Sequence, residues 1–151
     1  MDRGRIWVAA VFFLVMVGTA SGEDQQAGDV DGGVARCPDS PNCVSSVSPD
    51  EKHQVEPFLL VGDVTPAWKA VRAEALELAR SQVVEESDTD MRLECRSRLF
   101  GFVDDVHLAL DADAKLVHVR SASRTGYWDL GVNRKRIERL RERLREKGVV
   151  R

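Results

Sequence analysis

From Met91 to Leu110 the side chains change character at every second residue. Met91, Leu93, Cys95 and Leu99 alternate with Arg92, Glu94, Arg96 and Arg98, and after Phe100-Gly101 the pattern restarts as Phe102, Val106, Leu108 and Leu110. A period of two sends successive side chains to opposite faces, so these are strands with one dry and one wet face. "DADA" (111–114) reads as a turn and "KLVHVRSAS" (115–123) as a third strand. Folding the first pair about Phe100-Gly101 predicts Leu99 opposite Phe102, Cys95 opposite Val106, Leu93 opposite Leu108 and Met91 opposite Leu110. Folding the second about the DADA turn predicts Leu108 opposite Val117 and Val106 opposite Val119. Apolar then meets apolar in both hairpins, and a one-residue slip would expose these sets. On the wet face this register lines up Arg96, Asp105 and Arg120, beside Glu94, His107 and His118. On the dry face it puts Asp104 between Ser97 and Ser121.

Two segments carry the helical period instead. "TPAWKAVRAEALELAR" (65–80) starts with Thr65 as N-cap and Pro66 at the first helical position, and Trp68, Val71, Ala75 and Leu78 form one apolar face. "NRKRIERLRERLREK" (133–147) has a narrow stripe of Ile137, Leu140 and Leu144. The predicted fold class is α+β, an antiparallel sheet of three to four strands with two main helices packed mostly on one face.

The ends of the chain lie outside this pattern. Arg3 and Arg5 precede the apolar run Ile6 to Val17, and the small residues "GTASG" follow, which is the order of a secretory signal peptide over residues 1–22. The run is shorter than the roughly 20 residues that span a bilayer. In a bacterial host the cleaved protein would be periplasmic or secreted, and an uncleaved segment would leave it membrane-anchored. "EDQQAGDVDGGVAR" (23–36) is acidic and poor in large apolar groups, and reads as a flexible linker. Residues 37–151 then form a single domain.

Cys37 and Cys43 enclose "PDSPN", five residues rich in turn formers, while Cys95 falls on the dry face. In an oxidising compartment the pair reads as a disulfide staple. A redox pair or half of a metal site are the alternatives, but His53, His107 and His118 have no matching ligand spacing, so no metal is expected. Residues 133–151 carry nine Lys/Arg against three Glu, a net of +6, which leaves −9 for the rest of a chain whose total is −3. This asymmetry suits either a membrane-surface contact or a basic helix docked on its own acidic body. The basic face lacks interleaved aromatics and no nucleic-acid motif occurs, so nucleic acid is not an expected partner.

The junction "RSASRTGYWDLGVNR" (120–134) gathers the candidate chemistry. Asp129 can accept from backbone N–H groups where the last helix begins, and Asn133 can cap it. Arg124 can pair with Asp104 or Asp129. Much of the stretch is thereby explained as a corner locking helix to sheet. The same residues also make a candidate ligand site at the sheet end, formed by Asp104, Arg124, Ser97, Ser121, Asp129 and Tyr127.

"CPDSPNCVSS" (37–46), "FVDDV" (102–106) and "RSASRTGYWDLGVNRKRIERL" (120–140) resemble the bacterial and plastid family called domain of unknown function 1499. The resemblance covers about residues 37 to 146, and Trp68 and "EES" (85–87) also suit it. Cys37, Asn42, Cys43, Asp104, Asp105, Arg120, Ser121, Arg124, Gly126, Asp129, Gly131, Asn133 and Arg134 match its motif positions. "YW" at 127–128 is bulkier than its pattern, and Cys95 is not part of it. The resemblance implies an exported or membrane-associated protein and supplies no activity, cofactor or substrate. The expected function is therefore an exported cell-envelope protein without a cofactor, a non-catalytic binding or structural module. Its partner would be a small molecule, a lipid or an envelope protein, with a membrane surface meeting the basic C-terminal helix. The alternative is a small hydrolase or acid–base enzyme using Asp104 and Arg124. No G-x-S-x-G elbow or H-E-x-x-H helix supports that alternative.

Overall fold

The computed structural model describes residues 30–97 and 101–151. In chain order the elements are β1 (Val30–Asp31), β2 (Val34–Ala35), β3 (Cys43–Ser45), β4 (Phe58–Leu59), α1 (Val64–Leu76), β5 (Ser81–Glu86), β6 (Asp90–Arg96), β7 (Val103–Asp111), β8 (Leu116–Ser123) and α2 (Val132–Glu146). Strands β3, β8, β7, β6 and β5 lie side by side in that order, and β4 also pairs with β8, all antiparallel. The α+β class is as expected, but the sheet has six strands rather than three to four. The additional ones carry no periodic signal. β3 and β4 are too short to show a period, and β5 is a sheet edge exposed along most of its length.

The register differs from the expected one by two residues in both hairpins. Met91 faces Leu108, Leu93 faces Val106 and Cys95 faces Asp104. Leu110 faces Val117, Leu108 faces Val119 and Val106 faces Ser121. A shift of two leaves every side chain on its expected face, so the dry and wet sets survive while their partners change. The turns are the cause. Ser97 N–H donates to Phe102 O at 2.8 Å, so the first loop is longer than Phe100-Gly101 alone. Asp111 pairs with Leu116, so the second turn is 112–115, with Lys115 at φ 54°. The pairing expected for Leu99 lies outside the described residues. Asp104 accordingly sits between Cys95 and Ser123, not between Ser97 and Ser121. The row Arg96, Asp105, Arg120 is likewise replaced by Arg92, His107, Arg120.

Both helices cover the dry face. Trp68, Val71 and Ala75 of α1 and Ile137, Leu140 and Leu144 of α2 share one buried cluster with Met91, Leu93, Val106, Leu108, Val117 and Val119. At about 25 cal/mol per Å² of apolar surface removed from water, this layer is the main favourable term in folding. Polar contacts at its margins set helix positions. Trp68 Nε1 donates to Asp88 O at 2.7 Å, tying α1 to the turn between β5 and β6. Arg141, buried, reaches Pro57 O at 3.0 Å and lies 4.9 Å over the Phe58 ring, tying α2 to β4. Arg143 and Lys147 both meet the Glu74 carboxylate, joining the helices to each other.

Two helix starts differ from expectation. α1 begins at Val64 with Asp63 as N-cap, which puts Thr65 and Pro66 inside the first turn. Proline is tolerated there because those N–H groups have no helical acceptor. α2 begins at Val132 after a left-handed Gly131, so Asn133 is its second residue and not its cap.

The wet face is covered in part by the β1–β2 hairpin. Gly32 lies so close to His118 that a Cβ there would stand 2.3 Å from the imidazole, and Gly33 is nearly as close to Ala109. Both have positive φ, 55° and 81°, so glycine is required twice over. Val34 is fully buried beneath the hairpin. Residues 30–36, assigned to a linker by composition, thus include an ordered hairpin, and two glycines admit the close approach that lets a polar segment pack. Residues 1–22, expected as a signal peptide, and residues 23–29 lie outside the described residues.

Cys37 and Cys43 form a disulfide with Cα atoms 5.7 Å apart, and Cys95 is a buried free thiol. Closing so short a ring stabilises by about 2 kcal/mol. Replacing both cysteines by serine is expected to lower the unfolding free energy by about that amount, read from urea denaturation.

His107 gives the fold a pH dependence. Its ring is largely buried and its Nε2 lies 2.6 Å from Asp90 Oδ2. Burial, only partly offset by the Asp90 carboxylate, pushes the imidazole below the ordinary value of 6.5. The unfolded chain therefore takes up this proton at higher pH than the folded protein does. The stabilisation is complete above the ordinary histidine pKa and is lost as pH falls through the folded value. His107→Gln should flatten that loss between about pH 7 and 5 in urea melts.

Candidate functional site

Five separate segments meet at one end of the sheet: the disulfide loop, β7, β8, the turn at Asp129 and the first turn of α2. Asn133 lies at their centre with no solvent exposure. Its amide nitrogen is shared among Asn42 O at 2.9 Å, Ser123 Oγ at 3.0 Å and Asp129 Oδ2 at 2.9 Å. Its amide oxygen accepts from Ser121 Oγ and from Arg136 Nη1, each at 2.6 Å. Asp104, 5% exposed, accepts from Ser123 Oγ at 2.6 Å and from Arg136 Nη2 at 2.5 Å. Both of its oxygens are thereby engaged, which a buried carboxylate needs if it is to stay charged.

The local sequence explains why these groups converge. Alternation along β7 and β8 sends Asp104, Ser121 and Ser123 to the helix-covered face. Asn133 and Arg136 are three residues apart on α2 and so share one of its faces. Asp129 accepts from the N–H groups of Gly131 and Asn133, each at 2.8 Å, as its position before the helix suggests. Asn42 donates to Gly126 O at 2.5 Å and its own carbonyl accepts from Ser123 N, so the disulfide loop is sewn to the same corner.

Arg124 does not join Asp104. Its Nε and Nη2 reach the two Asp105 oxygens at 2.9 and 2.7 Å, and Nη2 also meets Glu94 Oε1 at 2.6 Å. Asp105 and Glu94 point to the face opposite Asp104. The Asp105 carboxylate, helped by Glu94, raises the guanidinium above its ordinary pKa. Arg136 is the partner that sequence reasoning missed. Its signal was its spacing from Asn133, hidden among five other arginines of the same helix. Tyr127 is 73% exposed and is not among the hydrogen-bond partners of Asp104, which are Ser123 and Arg136.

A cavity of about 570 Å³ opens beside the Asp104–Arg136 pair, between the end of α1 and the exposed side of α2. Leu78, Ala79 and Val132 give it apolar walls, and Ser97 and Asp104 reach it from the sheet. Ser121, Arg124, Tyr127 and Asp129 do not line it. Its charged lining is mixed: Arg80, Arg96, Lys135, Arg136, Arg139 and Arg143 are joined by Glu77 at the end of α1 and by Glu142 and Glu146 further along α2. Lys135 and Arg139 are exposed, and their side chains have no ion-pair or hydrogen-bond partner among the described residues. Opposite Asp104 on β6 is Cys95, whose thiol burial pushes above its ordinary pKa. Among the described residues no group of three His, Cys, Asp or Glu side chains could hold a metal ion.

A fold with two helices on an antiparallel sheet and a buried Asn–Arg–Asp corner defines an α+β module whose sequence motifs meet in one polar network. Residues 33–144 match the family model described as "Protein of unknown function (DUF1499)", and the chain belongs to that family. The matched stretch contains every residue of the network from Asn42 to Arg136. No match was found among curated proteins or among solved structures.

Removing one partner of a buried ion pair leaves the other charge uncompensated, at about 3–5 kcal/mol. Asp104→Ala and Arg136→Met should each destabilise by about 3 kcal/mol, and the double variant by clearly less than their sum. A double-mutant cycle by urea unfolding checks this.

Proposed function

We propose that this chain is an exported, non-catalytic binding module of the cell envelope, whose cavity receives a small ligand with an anionic group. The observation that carries the reading is the pairing state of the cavity's charges. Asp104 has both oxygens engaged, whereas the side chains of Lys135 and Arg139 line the same cavity with no partner among the described residues; the other unpartnered charges of the lining, Glu77, Glu142 and Glu146, stand at the end of α1 and further along α2. A cavity of about 570 Å³ with apolar walls and a few convergent polar groups is usual ligand geometry. Leu78, Ala79 and Val132 would take a short apolar portion of the ligand.

The acid–base alternative loses its main support. Each Asp104 oxygen already accepts a hydrogen bond, from Ser123 and from Arg136, and Arg124, the cation expected beside it, acts on the other face. Cys95, buried and with a raised pKa, is a poor nucleophile. Export is supported by the charge, apolar and small-residue order of residues 1–22 and by the disulfide, which suits an oxidising compartment.

The test uses octanoate, phosphate and octanol as probes in thermal unfolding. A ligand at tenfold above its Kd stabilises by about 1.4 kcal/mol. That corresponds to a rise in Tm of roughly 3–6 °C for a domain of this size. Octanoate should give this rise, octanol should not, and Lys135→Glu/Arg139→Glu should abolish it. If neither anion shifts Tm at millimolar concentration, the cavity is not a binding site for this class.

A further inference from the structure

The segment joining β8 to α2 exposes large apolar side chains to an unusual degree. Tyr127, Trp128 and Leu130 are 73%, 74% and 79% exposed, and Val132 follows at 46%. This loop is held firmly at both ends. Asn42 binds Gly126 O, and Asp129 binds the N–H groups of Gly131 and Asn133. Leu130 has a φ of 56°, a left-handed conformation that crowds its Cβ and that glycine or asparagine adopts with less strain. Neither backbone geometry nor packing therefore accounts for leucine at this position. A strained residue held in place by its surroundings points to a role outside the fold.

The neighbouring charge says what would cover these side chains. Val132, Lys135 and Arg139 are spaced three and seven residues apart and share one side of α2. The other cations of that helix are engaged by the protein itself: Arg134, Arg136, Arg141, Arg143 and Arg145 all have carbonyl or carboxylate partners. The unengaged positive charge on α2 thus lies on the side of the helix that begins with exposed Val132, two residues after Leu130. Trp and Tyr beside Leu, flanked by Lys and Arg, match the interface of an anionic bilayer, where rings sit at headgroup level and cations meet lipid charge. A second copy of the chain fits less well. Four side chains of this size offer on the order of 500 Å², short of the about 800 Å² per partner in a standard protein interface.

We propose that the 127–130 loop, with Lys135 and Arg139, docks the domain on an anionic lipid surface. Among the described residues no helix is long and apolar enough to cross a membrane, so this contact is peripheral for that part of the chain. The proposal shares two cations with the cavity but rests on Tyr127, Trp128 and Leu130, which do not line it.

The experiment uses the full chain, reconstituted into vesicles, with Leu130→Cys carrying an environment-sensitive fluorophore. Cys95 is buried and the other two cysteines are bonded, so labelling is selective. A matched label at Asp113→Cys, in the turn at the opposite end of β7, reports on mere tethering by the N-terminal segment. The label at position 130 should shift to the blue in phosphatidylglycerol-containing vesicles and much less in pure phosphatidylcholine, with no shift at 113. Lys135→Gln/Arg139→Gln should lower the docked-to-undocked ratio roughly 30-fold. Leu130→Gly should keep or raise Tm and leave the octanoate response intact, which separates this contact from the cavity. The proposal is overturned by no shift at 130 in anionic vesicles or by equal shifts in both lipids. A vesicle-independent shift that grows with protein concentration also overturns it, since a second copy would then be the occupant.

Discussion

A side-chain amide buried at the second position of a helix must find partners for two N–H groups and a carbonyl, or destabilise the fold by more than a typical mutation does. Asn133 meets that demand by recruiting the disulfide loop, β8, the Asp129 turn and Arg136 at once. Arg136 brings a charge into the same region and is balanced by Asp104. In a low-dielectric surrounding such a network is stabilising only when every member is satisfied. This all-or-none requirement ties together residues as distant in sequence as Asn42 and Arg136. It is also why the three motifs of the chain form one physical unit.

That requirement changes the meaning of the basic helix. Nine cations in 19 terminal residues suggest a broad polyanion surface. Within the fold, most of them hold backbone carbonyls of residues 52–57, ahead of β4, and the carboxylates of Glu74 on α1 and Asp104 on β7, so their charge is spent on internal positioning. On α2 what remains outward is local, at Lys135 and Arg139. Net charge counted along a sequence therefore overstates the field a partner meets, because counter-charges come from segments far away in the chain.

The corner also supplies rigidity to a loop that contributes little to the core. Tyr127, Trp128 and Leu130 can stand exposed, one of them in a strained conformation, because the residues on either side are pinned by Asn42 and Asp129. A polar network on one side and an apolar display on the other make the β8–α2 junction both a fastening and a presenting element. The cavity between α1 and α2 adjoins the same junction through Val132.

Periodicity in the sequence determined which side chains face the core in β6, β7 and β8, where the two helices run, and that Asp104 is buried. It could not choose between registers two residues apart, since an even shift preserves both faces. That choice belonged to turn geometry, and with it went the neighbours of Asp104. Nor could spacing tell Arg136 from Arg124 as its partner, because the pairing depends on where α2 lies over the sheet. The β1–β2 hairpin was illegible for a related reason: its packing comes from glycine's missing side chain, not from an apolar pattern. Local alternation is a property of the chain, whereas ion-pair choice, register and close backbone approach arise only when distant segments are brought together.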